Sequence, residues 1–560
     1  MYTNPVAQSK ETISKMLESA FVKCGFELPD GDIEVSPTKD ASHGDFASNV
    51  AMKASKKLGK NPREIASALC ENLDLEDSYV SKVEIAGPGF INFFLSDKYY
   101  SDVVKAAVTE GADYGKNNTG AGKKVMVEFV SANPTGPMHM GNARGGIVGD
   151  TLSTVLSYSG YDVTREFYVN DAGNQVDILG KCLSVRYIQH FKGEDAAQFP
   201  EDGYHGNDVK VIAADYAAEH GDSLLEADAE VMAKELVTYA LNRNIAKMQS
   251  DLKKYKIVYD NWFYESTLHV SGFVADTVEF LRQKGALYEK EGALWFKATD
   301  FGCDKDEVLV KANGFYTYYA VDIAYHRNKF ETRGFDMVID VLGADHHGHT
   351  LRFPAVLDAL GIDKSKLRFV LIQLVRLMQG GEVVRMSKRT GKVISLADLL
   401  DEIPVDAARF FFDYKVADSA MDFDLDLAVK QNSENPVYYV QYAHARICSI
   451  IKNLEAEGVV AKDISDVDLS LLSANEEREL IKLIASFPDE ILTAAEMLEP
   501  TRISRYCTSV GAAFHKFYGA CYVRNENEAL MQARLALCLA AKQVIRNSLD
   551  IINIDAPEKM

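Results

Sequence analysis

Four groups of residues in this chain have the types and spacing to do chemistry. The first is Ser131-Ala-Asn-Pro-Thr-Gly-Pro-Met-His139-Met-Gly141-Asn142-Ala-Arg-Gly-Gly146. Pro134, Gly136 and Pro137 mark a loop, and the glycines let another molecule approach the backbone. His139 and Asn142 stand where a helix opens. A helix N-terminus offers unpaired N–H groups and the positive end of its dipole, which suits a phosphate. The competing meaning is a glycine-rich turn with a surface histidine. The second group is Arg385, Lys388, Arg389 and Lys392, four positive charges within eight positions, with Met386 and Ser387 between them. Such a loop could clamp a polyphosphate and neutralise charge developing in a transition state. On its own it reads equally as a solvated turn.

The third group is Gly343-Ala-Asp345-His346-His347-Gly-His349. These look like metal ligands, but adjacent histidines point apart and no further ligands stand nearby at zinc spacing. No metal is expected there; a turn at the C-terminal end of a strand, lining a nucleotide or substrate pocket, fits better. The fourth is Glu128 with Tyr318 and Asp322. A carboxylate inside an apolar strand is costly unless paired. Glu128 is therefore either half of a salt bridge within the sheet or part of a cation site. A guanidinium suits such a site, because carboxylates pair with it bidentately.

These residues need elements to position them. Val125-Met-Val-Glu-Phe-Val130 reads as a buried strand, and Ile147, Leu152, Val155 and Leu156 as one face of a helix. Tyr161 to Val169 closes a βαβ unit, so a parallel sheet is expected, with Asn170 to Gln175 leaving its C-terminal end. The sheet is expected to resume at Tyr316 to Asp322, Phe335 to Leu342 and Leu367 to Val375. Between these parts, residues from about 178 to 300 read as a mainly helical insertion with a hairpin at Gly285 to Phe296. Three domains result: 1–118, a small α/β unit; 119–394, the α/β domain that carries the chemistry; and 395–560, all helical, with no strand alternation.

The chain has 560 residues, 47% hydrophobic and 26% charged, and a formal net charge of −21. Global acidity argues against nonspecific nucleic-acid binding but leaves room for a local basic track. No run approaches the ~18 apolar residues of a membrane span, and no signal-peptide pattern opens the chain. The 8 cysteines form no Cys-x-x-Cys pair, which predicts reduced thiols in the cytoplasm and no sulfur-based zinc site. In the last domain Tyr438, Tyr442 and Arg446, with Arg502, mix aromatics with cations that could stack on unpaired RNA bases and hold phosphates, or could simply be core rings and solvated charges.

His139-Met-Gly-Asn142, the Arg385-Met-Ser-Lys-Arg389 loop and the helical C-terminal domain together resemble a class I aminoacyl-tRNA synthetase. Val127 to Pro137, Tyr161 to Gln175, Asp322-Ile-Ala-Tyr-His-Arg327, Gly343 to His349 and Asp555-Ala-Pro-Glu-Lys-Met560 are similar to the bacterial arginyl-tRNA synthetases, over essentially the whole chain. The resemblance implies a Rossmann-like catalytic domain, an N-terminal domain touching the outer corner of the tRNA, and a C-terminal anticodon-binding domain. It implies activation of L-arginine by ATP, with Mg2+, to arginyl-adenylate, and transfer to the 3′ end of tRNA(Arg) with release of AMP and pyrophosphate. Bound tRNA is required before activation, and a cytoplasmic monomer without membrane attachment is expected.

By the same resemblance, arginine falls to Glu128, Ser131, Asn133, His139, Tyr318 and Asp322. ATP falls to His139, Gly141, Asn142, Gly343, Asp345, His346, Met386, Ser387 and Lys388, with His139, Asn142 and Lys388 catalytic. Tyr438, Tyr442, Arg446 and Arg502 fall to tRNA. The chain departs from the family pattern at Asn142, where the second histidine of the signature stands, and at Arg385 and Arg389 in the loop. Some members carry a compensating lysine where Gly136 stands here; with Lys388 present it is not needed.

Overall fold

The computed structural model describes residues 3–38, 41–76, 78–201, 203–384 and 394–560. The chain forms two compact units: Thr119–Asn435 with Leu498–Thr501, and Met1–Asn118 with Pro436–Met497 and Arg502–Met560.

The first unit is built on five parallel strands: β1 (Lys124–Glu128), β2 (Asp162–Val169), β3 (Asn261–Tyr264), β4 (Met337–Gly343) and β5 (Leu367–Ile372), ordered β5-β4-β1-β2-β3. Val125, Met126 and Val127 are fully buried, as a strand covered on both faces requires. Helix α1 (Gly141–Tyr158) runs from β1 toward β2 and buries Ile147, Leu152, Val155 and Leu156. Strand order reverses at β1, so the crevice beyond the C-terminal ends of β1 and β4 is the switch point where ligands of such sheets bind. Glu128 and Asp340 are register partners across that boundary.

Arg144 secures the start of α1. Its fully buried guanidinium donates to the carbonyls of Gln373 (3.1 Å), Lys415 (3.1 Å), Val416 (2.7 Å) and Ser419 (2.7 Å). Four backbone acceptors thus stand where a carboxylate usually would, and they tie the helix to Gln373 just after β5 and to the turn at Lys415 to Ser419.

The expected strand at Tyr316 to Asp322 is instead the start of helix α2 (Tyr318–Arg327), with only Tyr316 in an isolated bridge to Val310. Thr317 caps it, accepting from the Ala320 N–H, and Ala320, Val321, Ile323 and Ala324 are buried at helical spacing. Tyr318 and Asp322, four apart, therefore share one helical face. Helix α3 (His347–Leu360) follows β4.

The insertion after β2 consists of helices Asn174–Lys192, Asn207–His220 and Ala229–Lys254. It ends sooner than expected, because β3 returns to the main sheet at Asn261. β3 has four half-buried residues at the sheet's edge, too few to show a period. The expected hairpin is present, as Leu287–Lys290 paired with Ala293–Phe296. Residues 395–435 are not purely helical. Met421–Asp424 pairs in parallel with Val375–Gln379, and this pairing holds the segment to the first unit.

The second unit combines a four-stranded antiparallel sheet (Val35–Pro37, Phe46–Ser48, Phe90–Leu95 and Val80–Ala86 in spatial order) with the C-terminal helices Pro436–Ala456, Asn475–Met497, Thr501–Ala520 and Glu528–Ile552. Within it the fully buried Tyr114 donates its hydroxyl to the Ile484 carbonyl (3.0 Å), and Asn547 donates to the carbonyls of Gly111 (2.9 Å) and Tyr114 (3.0 Å).

Candidate active site

A cavity of about 1200 Å³ opens over the C-terminal ends of β1 and β4. Glu128, Ser131, Asn133, His139, Gly141, Asn142, Tyr318, Asp322, Gly343, Asp345 and His346 line it, so positions separated by more than two hundred residues meet in one wall. Met386, Ser387 and Lys388 lie outside the described residues. Tyr168, Asn170, Gln175, Tyr325, His326, Asp340 and Gln373 also line the cavity; the first five fall in stretches singled out above without a role for each, and Asp340 and Gln373 lie in or beside apolar strands that give no sign of it.

Its floor is a set of acids. Glu128 accepts from the Ser131 hydroxyl (3.0 Å) and from Lys329 Nζ (2.7 Å). Lys329, fully buried in the π-helical turn after α2, also donates to Asp340 (3.0 Å). Glu128 is thus half of a salt bridge and a cavity wall at once. Burial would lower the Lys329 ammonium, but Asp340 and Glu128 outweigh it and hold the group above the ordinary lysine range. Burial would likewise raise Asp340, but Lys329 and His326 hold it well below the usual carboxylate range.

Asp322 differs. Its carboxylate has no hydrogen-bond donor among the described residues, and burial beside Glu265 and Glu128 pushes it up to about 8. Glu265, also raised by burial, accepts from the Tyr168 hydroxyl (2.8 Å).

The loop after β1 is strained. Val130 and Ser131 have φ of 69° and 41°, a region that costs side-chain-bearing residues about 1–3 kcal/mol each. The surroundings hold it there. Ser131 Oγ also accepts from the Tyr168 N–H (3.1 Å), and the Tyr259 hydroxyl donates to the Phe129 carbonyl (3.0 Å). The Phe129 ring lies so close to α1 that a Cβ on Gly149 would stand 2.2 Å from it, and only glycine fits.

His139 is exposed at the cavity edge. Its Nδ1 accepts from the Gly141 N–H (2.9 Å), which orients the ring and leaves Nε2 to carry the outward-facing proton. The same loop pairs with the chain that follows the undescribed segment: Met140 N–H donates to the Ile394 carbonyl (3.1 Å) and Leu396 N–H to the Met138 carbonyl (3.0 Å). Asp345 and His346 are on the rim, exposed, 3.6 Å from each other. Among the described residues no group of three or more His, Cys, Asp or Glu side chains could hold a metal ion.

Tyr438, Tyr442 and Arg446 belong to helix Pro436–Ala456 of the other unit. The two tyrosine rings stack 6.3 Å apart, and Arg446 donates to the Tyr518 hydroxyl (2.8 Å). Arg502 is on a different helix and is ion-paired with Glu490 at 2.9 Å.

Three family models match the chain: an arginyl tRNA synthetase N-terminal domain over residues 7–95, a class I tRNA synthetase (R) catalytic domain over 103–424, and a DALR anticodon binding domain over 440–560. The arginine–tRNA ligase of Acetivibrio thermocellus is 52% identical, with all of both chains covered. That of Ruminiclostridium cellulolyticum is 53% identical over 94% of each. Among solved structures, Thermus thermophilus arginyl-tRNA synthetase superposes with a TM-score of 0.75 over 98% of this chain and 100% of that one; at 21% identity this likeness speaks to the fold alone.

Proposed function

This chain belongs to the arginyl-tRNA synthetase family, and on that premise we propose how its residues divide the work of activating arginine with ATP and charging tRNA. Arginine sits with its guanidinium against Asp322 and Glu128 and its carboxylate toward ATP. Ser131, Asn133 and Tyr318 shape that pocket. ATP lies over the start of α1, where His139 Nε2 and the helix N–H groups face its phosphates, with Gly343, Asp345 and His346 along the rim. The carboxylate of arginine attacks the α-phosphorus and pyrophosphate leaves. The terminal hydroxyl of the tRNA then attacks the carbonyl carbon of the adenylate, and AMP leaves. Mg2+ belongs to this reading as part of the nucleotide substrate, carried on the phosphates.

One observation carries the arginine assignment. Asp322 is a cavity-lining carboxylate with no protein donor among the described residues, in a cluster that already holds Glu128, Asp340 and Glu265. A cation at that wall relieves the surplus, and a guanidinium does so with directed hydrogen bonds. Pyrophosphate exchange measured across the amino acids, with tRNA present, tests it. Arginine alone is expected to support exchange, and equal exchange with a neutral amino acid would overturn the assignment.

Activity should also depend on pH. In the free cavity Asp322 keeps its proton below about pH 8. A guanidinium needs the ionised form, so binding must expel that proton. Arginine kcat/KM is therefore expected to fall as pH drops below 8, approaching roughly tenfold per unit for one proton, and to level off above 8. A flat profile from pH 6 to 9 would show that Asp322 is ionised before arginine arrives.

Asn142 can donate a hydrogen bond but no charge, so His139, the helix N–H groups and Lys388 carry most of the phosphate stabilisation. We expect Asn142→His to change the exchange rate by less than about threefold, well short of the 10²–10³ of an essential donor. A larger gain would mean that asparagine handicaps this position. Tyr438, Tyr442 and Arg446 are the better candidates for tRNA contact; the ion pair to Glu490 makes Arg502 a weaker one. We further read the chain as a cytoplasmic monomer. Its cysteines are free thiols, and no helix among the described residues is long and apolar enough to cross a membrane.

A further inference from the structure

Glu128 and Asp340 are neighbours in register on β1 and β4, so their carboxylates share one face of the sheet at the floor of the cavity. Like charges that close repel unless something stands between them. Lys329 does, at 2.7 Å from one and 3.0 Å from the other, with its ammonium 4.2 Å from the centre of the Tyr325 ring. It arrives from a π-helical turn, a form that adds a residue to a helix and re-aims the side chains beyond it.

His326 packs against the same acid. Its Nδ1 lies 2.8 Å from the Asp322 backbone carbonyl and its Nε2 2.9 Å from Asp340 Oδ2. Lys329 thus spans both acids, while Asp322 on the cavity wall has no donor among the described residues.

We infer that Lys329 is a specificity-determining positioning residue: it spans Glu128 and Asp340 beneath the cavity, so that the acid wall formed by Asp322 and Glu128 is left with room for one cationic side chain. This rests on the reading that the cavity binds arginine. Without Lys329, an incoming guanidinium has a second place to go, between Glu128 and Asp340, deeper than its proper seat. The carboxylate of arginine is then drawn away from ATP. Asp322 also loses the ammonium that draws its carboxyl down, and faces Glu128 on β1, Asp340 on β4 and Glu265 after β3, with His326 and the phenols of Tyr168, Tyr318 and Tyr319 beside it.

The test is tRNA-dependent pyrophosphate exchange by the full chain. Lys329→Met is expected to raise the arginine KM about tenfold or more, a loss of one decade in binding, with the ATP KM held within about twofold. The pH below which arginine kcat/KM declines should move upward. The paired variant Lys329→Met/Asp340→Asn removes one charge of each sign and should bring that pH back to the wild-type position, which a purely structural lysine would not do. A folded Lys329→Met enzyme with unchanged arginine KM and unchanged pH profile would overturn the inference, and so would equal rises in both KM values. If the single variant does not fold, the paired variant decides: a wild-type profile supports the inference, and an upward-shifted one overturns it. Asp322→Asn, run alongside, tests the pocket itself. A raised arginine KM there with no effect at Lys329 sinks this inference alone, whereas no effect at Asp322 sinks the arginine seat and this inference with it.

Discussion

Asp322→Asn is expected to raise the arginine KM by about 2–5 kcal/mol of binding, roughly thirty- to several-thousand-fold, with little change in the ATP KM. Asparagine keeps the shape and one acceptor oxygen but cannot supply the charge. The assay pH decides where in that range the result falls. The wild-type carboxyl is pushed up to about 8 by burial beside Glu265 and Glu128, so at pH 7 the wild-type enzyme must first expel a proton. The variant has no such cost, and the gap between the two should widen from pH 7 to pH 9. Stability should move the other way. An acid whose folded-state value is raised above its unfolded value weakens the fold as pH climbs from the ordinary carboxylate range to about 8. Asp322→Asn removes that burden, so its melting temperature at pH 8 should equal or exceed that of the wild type. A proportional rise in both KM values, or a lower melting temperature, would argue that Asp322 supports the fold and not the guanidinium.

Asp322 is legible in the sequence because its spacing from Tyr318 is local and its chemistry is unusual in such a context. The element carrying it is not. Tyr316 to Asp322 is rich in residues that favour strands, and the Thr317 cap that turns it into a helix is a single hydrogen bond. Lys329 shows the opposite problem. It occurs in a polar run, Tyr325-His-Arg-Asn-Lys329, where a lysine ordinarily reaches solvent. Its burial depends on Glu128, 201 residues away, and on the pairing of β1 with β4. Arg144 is hidden for the same reason, since its acceptors lie 229 to 275 residues along the chain. Short-range pattern finds groups that line the cavity, whereas the charges that balance them exist only once the sheet has closed. The strands at Asn261 and Met421, absent from the sequence reading, are four residues each, so the twofold period that marks a strand has no length in which to appear.

Lys388→Ala is expected to slow arginyl-adenylate formation by roughly 10²–10³-fold, the usual loss for one donor aimed at transition-state charge. The motive is its place in Arg385-Met-Ser-Lys388-Arg389, the basic run that resembles the second signature of class I synthetases. The described chain on its C-terminal side is held at the cavity edge: Ile394 and Leu396 hydrogen-bond to Met140 and Met138, on either side of His139. Lys388 stands six residues before Ile394 in the sequence. Charge alone does not make it redundant with Arg385, Arg389 and Lys392. An ammonium is a compact point charge on a flexible stem, while a guanidinium is a planar fork needing more room. The loss should be in kcat for exchange, because developing charge on the leaving pyrophosphate is greatest in the transition state, and the arginine KM should hardly move. Lys388→Arg should recover part of the rate by restoring charge without the geometry. Exchange at an unchanged rate in Lys388→Ala would assign the phosphate chemistry to the neighbouring cations instead.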